Sequence, residues 1–454
     1  MEGLFKLHLV GAVLSYILIS NIFCEGNKLE NQIDINNKKL RHVHLVFRHG
    51  DRSPMNQVPE IYEDFESIWP EGTGKLTDIG IRQQYLLGRW LRRKYGNFIP
   101  DKYNSSSYYL RSTDKDRTLM SAMANSAGFF SSSFSPLDEF DLHWSPVPVH
   151  TVSQDTDMFL SMDDCPRLKV LRKLKMYSPD SIEFEKKHKK LFQILRRATG
   201  LRVNRFTIGE IADFLKCMKG SNVSLPEWCT DEVLDEIYEV QSFYWKKKYA
   251  SSTEIIRLEA GLILHNFIKY MRSLVRGKLI SPSEDIPMSK NHMVAYSAHD
   301  TDLTYILAAL GVFDNKTIEY AAVVSLEVYG PSKPADESRF ILKVFYKRGW
   351  EDEDGEYLSL PICDNSQFAD GCPLNIVFQH LETLAIHPRI YASECSSGLA
   401  KLDSQATTIL STKVIVFFTI FMLSFVLILL FSMFAMRSQQ KIQEEVVEEP
   451  MLKK

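Results

Sequence analysis

The chain carries almost no net charge. Its 454 residues hold 54 Lys and Arg against 57 Asp and Glu, a formal net of -3, so it lacks the basic excess with which a nucleic-acid binder neutralises phosphates. Glycine (21) and proline (18) are too few for a collagen-like chain. With 45% hydrophobic and 24% charged residues, wholesale disorder is excluded as well. No internal repeat is visible. The length is that of two or three domains, or of one large α/β unit with an insertion.

Long apolar runs occur only at the two ends. Lys6 precedes an apolar run from Leu7 to Ile19, followed by Ser20, Asn21 and Cys24. This run is short for a membrane span and the polar stretch Glu25 to Lys39 follows it, so residues 1–24 read as a secretory signal peptide. Neither Ser20 nor Cys24 has a small residue two positions earlier, which leaves the cleavage site open. At the other end, Val414 to Met436 is free of charge. At about 1.5 Å per residue it covers roughly 34 Å, enough to cross a bilayer. Lys413 lies on its outer side, and Arg437 with Lys441 on its inner side. The expected organisation is therefore type I: a luminal or extracellular body over 25–412, a transmembrane helix over 413–436 and a cytoplasmic tail over 437–454.

Seven cysteines are present, and six remain once Cys24 leaves with the signal: Cys165, Cys217, Cys229, Cys363, Cys372 and Cys395. An even set suits an oxidising compartment, and six thiols allow 15 pairings. Short loops favour Cys217 with Cys229 and Cys363 with Cys372, leaving Cys165 with Cys395. Sequons for N-glycosylation begin at Asn104, Asn222 and Asn315 and support the same compartment weakly.

Apolar patterning places a buried strand over His42 to Phe47, a helix over Leu76 to Tyr95 and a short strand over Ser107 to Leu110. Thr113 with Asp116 resembles a capping box for a helix from Asp114 to Phe130. From Cys165 to about Thr253 the composition turns helical and basic, as expected of an insertion or cap. The run Glu185-Lys-Lys-His-Lys-Lys190 reads as a solvated helix face, because acids flank it and no aromatics interleave. A helix over Glu254 to Arg276, a strand over His292 to Ser297, a helix over Thr301 to Leu310 and strands over Val323 to Tyr329 and Phe340 to Tyr346 follow. Helices between strands give an α/β class with a mostly helical insertion.

The strongest local signal is Arg48-His49-Gly50-Asp51-Arg52-Ser53-Pro54, directly after a strand. Two guanidiniums flank one imidazole and can fork onto phosphate oxygens, while Gly50 lets backbone approach a bound group. The imidazole can attack phosphorus and split hydrolysis into two displacements. Arg111, between a strand end and a helix start, is placed to hold an anion. The structural alternative for Arg111 is an ion pair with Asp114 or Asp116. His299 and Asp300 occupy the equivalent strand-to-helix position further along, where one can hold phosphate and the other can protonate a leaving alcohol. His42 and His44 share a strand face, but no Cys/His/Asp cluster accompanies them, so no metal site is expected.

These residues resemble the histidine acid phosphatases. The resemblance rests on R-H-G-x-R-x-P at Arg48 to Pro54, on Trp69-Pro-x-Gly-x-Gly-x-Leu-Thr77, on Arg111-Ser-Thr-Asp-Lys-Asp-Arg-Thr-Leu-Met-Ser121, on Pro146-Val-Pro-Val-His-Thr151 and on Tyr296-Ser-Ala-His-Asp-Thr301. It runs from about His42 to Cys395 and is nearest to the prostatic, lysosomal and testicular branch. It implies a phosphoglycerate-mutase-like α/β domain with a smaller helical domain, a single C-terminal anchor, and no metal or cofactor. By the same resemblance His49 is the phosphorylated nucleophile, Arg48, Arg52, Arg111 and His299 bind phosphate, and Asp300 donates the proton. Cys165 with Cys395 and Cys363 with Cys372 fit the family's pattern. Where relatives pair the cysteine matching Cys217 with one in the strand, this chain has Val323, so a rewired bridge from Cys217 to Cys229 is expected.

The function expected is hydrolysis of small phosphomonoesters in a lysosomal or endosomal lumen or at the cell surface. Low pH should suit it by keeping Asp300 protonated and His299 cationic. No nucleic-acid partner is expected, and the resemblance leaves a homodimer open. Competing readings are a phytase, lipid phosphatase or glycan-phosphate phosphatase on the same scaffold, and an adhesion or receptor protein that retains the site unused.

Overall fold

The structure, a computed structural model, describes residues 34–35, 38–131, 135–160, 165–278, 292–363, 368, 370–398 and 415–438. The expected signal peptide and most of the expected cytoplasmic tail lie outside them. Eight strands form one sheet: β1 (Asp34–Ile35), β2 (Lys38–Arg48), β3 (Tyr108–Ser112), β4 (Met293–Ala298), β5 (Val323–Gly330), β6 (Ile341–Lys347), β7 (Glu356–Leu358) and β8 (Cys372–Pro373). Its order is β3-β4-β2-β5-β6-β7, with β1 on β2 and β8 on β6. Only β3, β4 and β2 run parallel, and β5 returns antiparallel beside β2. Arg48 pairs with Ala298, and Ser112 with Ser297. Three carboxyl ends therefore open at one edge, the place where α/β sheets bind ligands.

The strand β2 is buried on both faces, which explains its nearly continuous apolar run. Val43, Leu45 and Phe47 enter the main core with Leu87, Leu91 and Phe129. On the other face His42 packs on Tyr270 and His44 on Phe267, both from the helix Thr253–Arg276. Burial pulls the His44 imidazole down to about 3, as suits a neutral core residue.

The helix Asp78–Tyr95 is capped by Thr77, whose hydroxyl accepts from the Gly80 N–H and donates to Asp51 Oδ2 at 2.7 Å. This ties the helix start to the loop after β2. The two backbones touch there: a Cβ on Gly50 would lie 2.3 Å from the Gly80 carbonyl oxygen, and one on Gly80 would lie 2.1 Å from the Asp51 oxygen.

The next helix, Asp116–Phe129, begins two residues later than the capping-box pattern implies, with Lys115 at its cap. The Thr113 hydroxyl is engaged elsewhere, with Thr118 Oγ1 at 2.7 Å and His299 Nε2 at 3.0 Å. Asp116 reaches out to Lys75 instead of back to a cap.

Five helices fill the stretch after Cys165: Pro166–Met176, Pro179–Lys187, Lys189–Thr199, Ile208–Gly220 and Asp231–Tyr249. They bury a second core around Leu191, Phe192, Phe214, Leu215, Ile237 and Val240, into which Trp69 and Phe65 also project. Cys165 bonds to Cys395 across 230 residues, and Cys363 to Cys372. The expected bridge between Cys217 and Cys229 does not form; both thiols are free and buried. The helix carrying Cys217 turns its sulfur toward Tyr320 Oη at 3.6 Å and Arg52 Nη1 at 3.9 Å. Asn104, Asn222 and Asn315 are all exposed. A separate unit carries one helix, Ile415–Ser438, with mean hydropathy 2.8 over its most apolar stretch and no buried face, long enough to cross a membrane.

One buried charge crosses the sheet. Glu327 on β5 is fully enclosed and accepts from the hydroxyls of Tyr95 (2.5 Å), Tyr329 (2.8 Å) and Tyr357 (2.9 Å), with Lys94 Nζ at 3.3 Å. Glu327→Ala strips the buried Lys94 of its counter-charge and three hydroxyls of their acceptor. It should cost about 3–5 kcal/mol in denaturant unfolding. A loss within about 0.5 kcal/mol, as at an ordinary surface site, would contradict this account.

Candidate active site

A cavity of about 1030 Å³ opens at the carboxyl ends of the parallel strands. Arg48, His49, Arg52, His299 and Asp300, five of the six residues expected from the sequence, line it.

The His49 ring is oriented by its own loop. Its Nδ1 lies 2.8 Å from the Gly50 carbonyl oxygen. A carbonyl only accepts, so Nδ1 carries the proton and Nε2 keeps its lone pair. Burial first, then Arg48, Arg117, His299 and Arg52, hold this imidazole well below the ordinary histidine value. His49 is therefore neutral even in mild acid, the state a nucleophile requires.

The guanidiniums of Arg48 and Arg52 are each held by groups of the cavity wall. Arg48 donates to the Ile318 carbonyl at 2.5 Å and to Asp300 Oδ2 at 2.8 Å, and lies 4.2 Å above the Tyr320 ring. Arg52 makes a fork onto Asp213, at 2.7 and 3.1 Å, and donates to the Ser53 carbonyl. Asp213 comes from the inserted helix Ile208–Gly220 and also accepts from the Met55 N–H, so the insertion braces the nucleophile loop. Among the described residues the buried Nε–H groups of Arg48, Arg52 and Arg117 have no acceptor. Buried unpaired donors are costly, and these three beside His49 point to an oxyanion that completes them.

Arg111 departs from expectation. It lies within β3, is buried, and pairs with Asp157 at 2.7 Å rather than with Asp114 or Asp116. It does not line the cavity, whereas Arg117 does. The later helix start places Arg117 in the first turn, with Nη2 at 3.4 Å from His299 Nδ1. Burial, with Arg52 and Arg48 nearby, pulls this guanidinium down to about 10, a measure of how crowded with positive charge the site is.

The network also assigns the His299 tautomer. Thr118 donates to a backbone carbonyl, so Thr113 donates to Thr118 and accepts from His299 Nε2. Arg117 only donates, so His299 Nδ1 accepts. Burial and the Arg117 charge bring His299 down to about 3. Burial alone would raise the Asp300 carboxyl, but Arg48 and Arg52 outweigh it and hold Asp300 below the usual carboxylate range. These shifts reverse the expectation of a cationic His299 beside a protonated Asp300. Beside them Asp302 accepts from the His299 N–H at 2.9 Å, and burial raises its carboxyl to about 7.

Arg117 stands within a motif already singled out, and its signal was a position in the first helical turn after a parallel strand. Asp213 and Tyr320 left no signal in the sequence, since each joins the site only through the tertiary fold.

Comparison with known proteins agrees with this geometry. Residues 39–347 match the model of the histidine phosphatase superfamily (branch 2). The chain is 31% identical to prostatic acid phosphatase of Rattus norvegicus over 398 residues, covering 86% of this chain and 96% of that one. It is 32% identical to lysosomal acid phosphatase of Xenopus laevis over 346 residues, 74% of each. Among solved structures, the phytase from Citrobacter braakii superposes with a TM-score of 0.58 at 13% identity, covering 79% of this chain and 99% of that one, a likeness of fold alone. With a strand-end His49 beneath buried arginines, and with a family match over most of its length, the chain belongs to the histidine phosphatase superfamily, branch 2.

Proposed function

We propose that this chain is a membrane-anchored acid phosphatase that hydrolyses phosphomonoesters through a phosphohistidine on His49. The observation that carries this reading is the neutral His49, with Nδ1 tied to the Gly50 carbonyl and Nε2 left as a lone pair beside three arginines with unfilled donors. In the first displacement Nε2 attacks phosphorus, the P–O bond to the leaving group breaks, and the alkoxide takes a proton from Asp300. In the second, Asp300 takes a proton from water, the resulting hydroxide attacks phosphorus, the P–N bond breaks and phosphate leaves. Arg48, Arg52 and Arg117 hold the phosphoryl oxygens, with His299 beside them. Arg111 instead fixes Asp157.

The low proton affinity of Asp300 gives the acid preference a different origin. A phosphomonoester has its second pKa near 6, so below that it enters as a monoanion bearing a proton. Its negative charge offsets the arginines that hold Asp300 ionised, and the proton passes to Asp300 for the leaving group.

The homologues and the apolar helix support a lysosomal membrane setting. The type I orientation, the signal over 1–24 and glycans on Asn104, Asn222 and Asn315 belong to this proposal.

His49→Ala should abolish turnover of a generic aryl phosphate. Arg117→Gln removes one charge-assisted contact and should lower kcat/KM by about 10- to 100-fold with little change in stability. Arg111→Gln should act through folding, costing about 3–5 kcal/mol because Asp157 is left buried and unpaired. Steady-state kinetics and thermal unfolding on the two variants separate these roles, and the reverse pattern would overturn the assignment.

A second expectation concerns pH. His44, His49 and His299 are all held below the unfolded value of about 6.5. Between about 6.5 and 3 the unfolded chain therefore binds more protons, so stability falls as pH drops. Asp302 and Asp51, which burial raises, run the other way but are fewer. The melting temperature should fall from pH 7 to pH 4, and inorganic phosphate should restore more of it at the acid end. A flat profile without phosphate would contradict the account.

A further inference from the structure

The cavity is far larger and more basic than one phosphate requires. Ten Lys and Arg line it against five Asp and Glu, in a chain with a net charge of -3. Several of these cations stand away from His49, on two inserted helices whose faces form the cavity wall.

Lys169, Arg172 and Lys173 follow one another at positions i, i+3 and i+4 of the helix Pro166–Met176, so they share one face. Lys248 and Tyr249 end the facing stretch of the helix Asp231–Tyr249. Arg172 is the rigid member: it is ion-paired with Glu259, donates to Tyr305 Oη at 3.0 Å and lies 4.9 Å from the Tyr249 ring centre. Its buried Nε–H has no acceptor. Among the described residues Lys173 and Lys248 have no carboxylate partner, although they line the same space.

One helix ties this wall to the reacting centre. Tyr305, the partner of Arg172, lies five residues beyond Asp300 on the helix Asp300–Ala309, a rise of about 7.5 Å along its axis.

We infer that this wall is a second anion subsite, and that the preferred substrates are phosphomonoesters whose leaving group carries another phosphate. The inference rests on the phosphatase reading above and specifies its substrate class. Lys173 and Lys248 supply the free charge, and the unpartnered Arg172 Nε–H supplies a directed donor. The reaction at His49 is unchanged; only the distal phosphate is recognised.

The test compares butane-1,4-diol bisphosphate with butyl phosphate on the purified full-length protein in detergent, reading the ratio of the two kcat/KM values. Each exposed ion pair contributes about 0.2–1 kcal/mol, so two of them with a directed donor should give a ratio of roughly tenfold. The ratio should fall as salt is raised, and should drop toward about two, the statistical factor for two equivalent esters, in the double variant Lys173→Gln/Lys248→Gln. A wild-type ratio no greater than about two with butyl phosphate still turned over overturns the subsite alone, as does a ratio that survives in the double variant. A wild-type protein inert toward both substrates overturns the phosphatase reading on which the subsite depends.

Discussion

Like charges resist being gathered, and this fold gathers three guanidiniums, two of them buried and one half-buried, around a single neutral imidazole. At an effective dielectric of about 20, two unit charges 5 Å apart repel by roughly 3 kcal/mol, so each arginine needs its own restraint. Asp300 and the Ile318 carbonyl hold Arg48, and Asp213 holds Arg52. Arg117, which has no carboxylate ion pair among the described residues, is pulled down to about 10 by burial and then by the repulsion of Arg52 and Arg48. The concentrated positive field has two consequences. After burial it is what keeps His49 free of its second proton, and it makes the site one that favours an anion.

The sheet and the insertion both serve that arrangement. Parallel pairing of β2 with β4 places the ends of two distant segments side by side, so that His49 donates its backbone N–H to Ala298 immediately before His299 and Asp300. The glycine contact between Gly50 and Gly80 presses the nucleophile loop onto a helix start, where no Cβ would fit. The insertion supplies the counter-charge for Arg52 and a basic far wall, so it closes the cavity on one side and sets its polarity.

What the sequence made legible was local. The loop Arg48 to Pro54 announces itself because its donors lie within a few residues of one another, and β2, β4 and the helices around them follow from apolar spacing. Arg111 was misjudged because Thr113 looks like a helix cap; its hydroxyl is claimed by Thr118 and His299, which moves the helix start and brings Arg117 to the cavity. Cys217 and Cys229 were paired on short spacing, but the helix around Cys217 aims the thiol at Tyr320. The proton states of Asp300 and His299 could not be read from residue type, since they depend on the summed field of arginines drawn from three parts of the chain.

The account's central claim is that His49 Nε2 becomes covalently phosphorylated during turnover. It is tested most directly by mixing the enzyme with a labelled phosphomonoester, quenching within a single turnover and mapping the labelled peptide. The account predicts acid-labile, base-stable label on His49 that appears before free phosphate and decays as phosphate is released. Label on another residue, or release of phosphate with no labelled enzyme at any quench time, would contradict it.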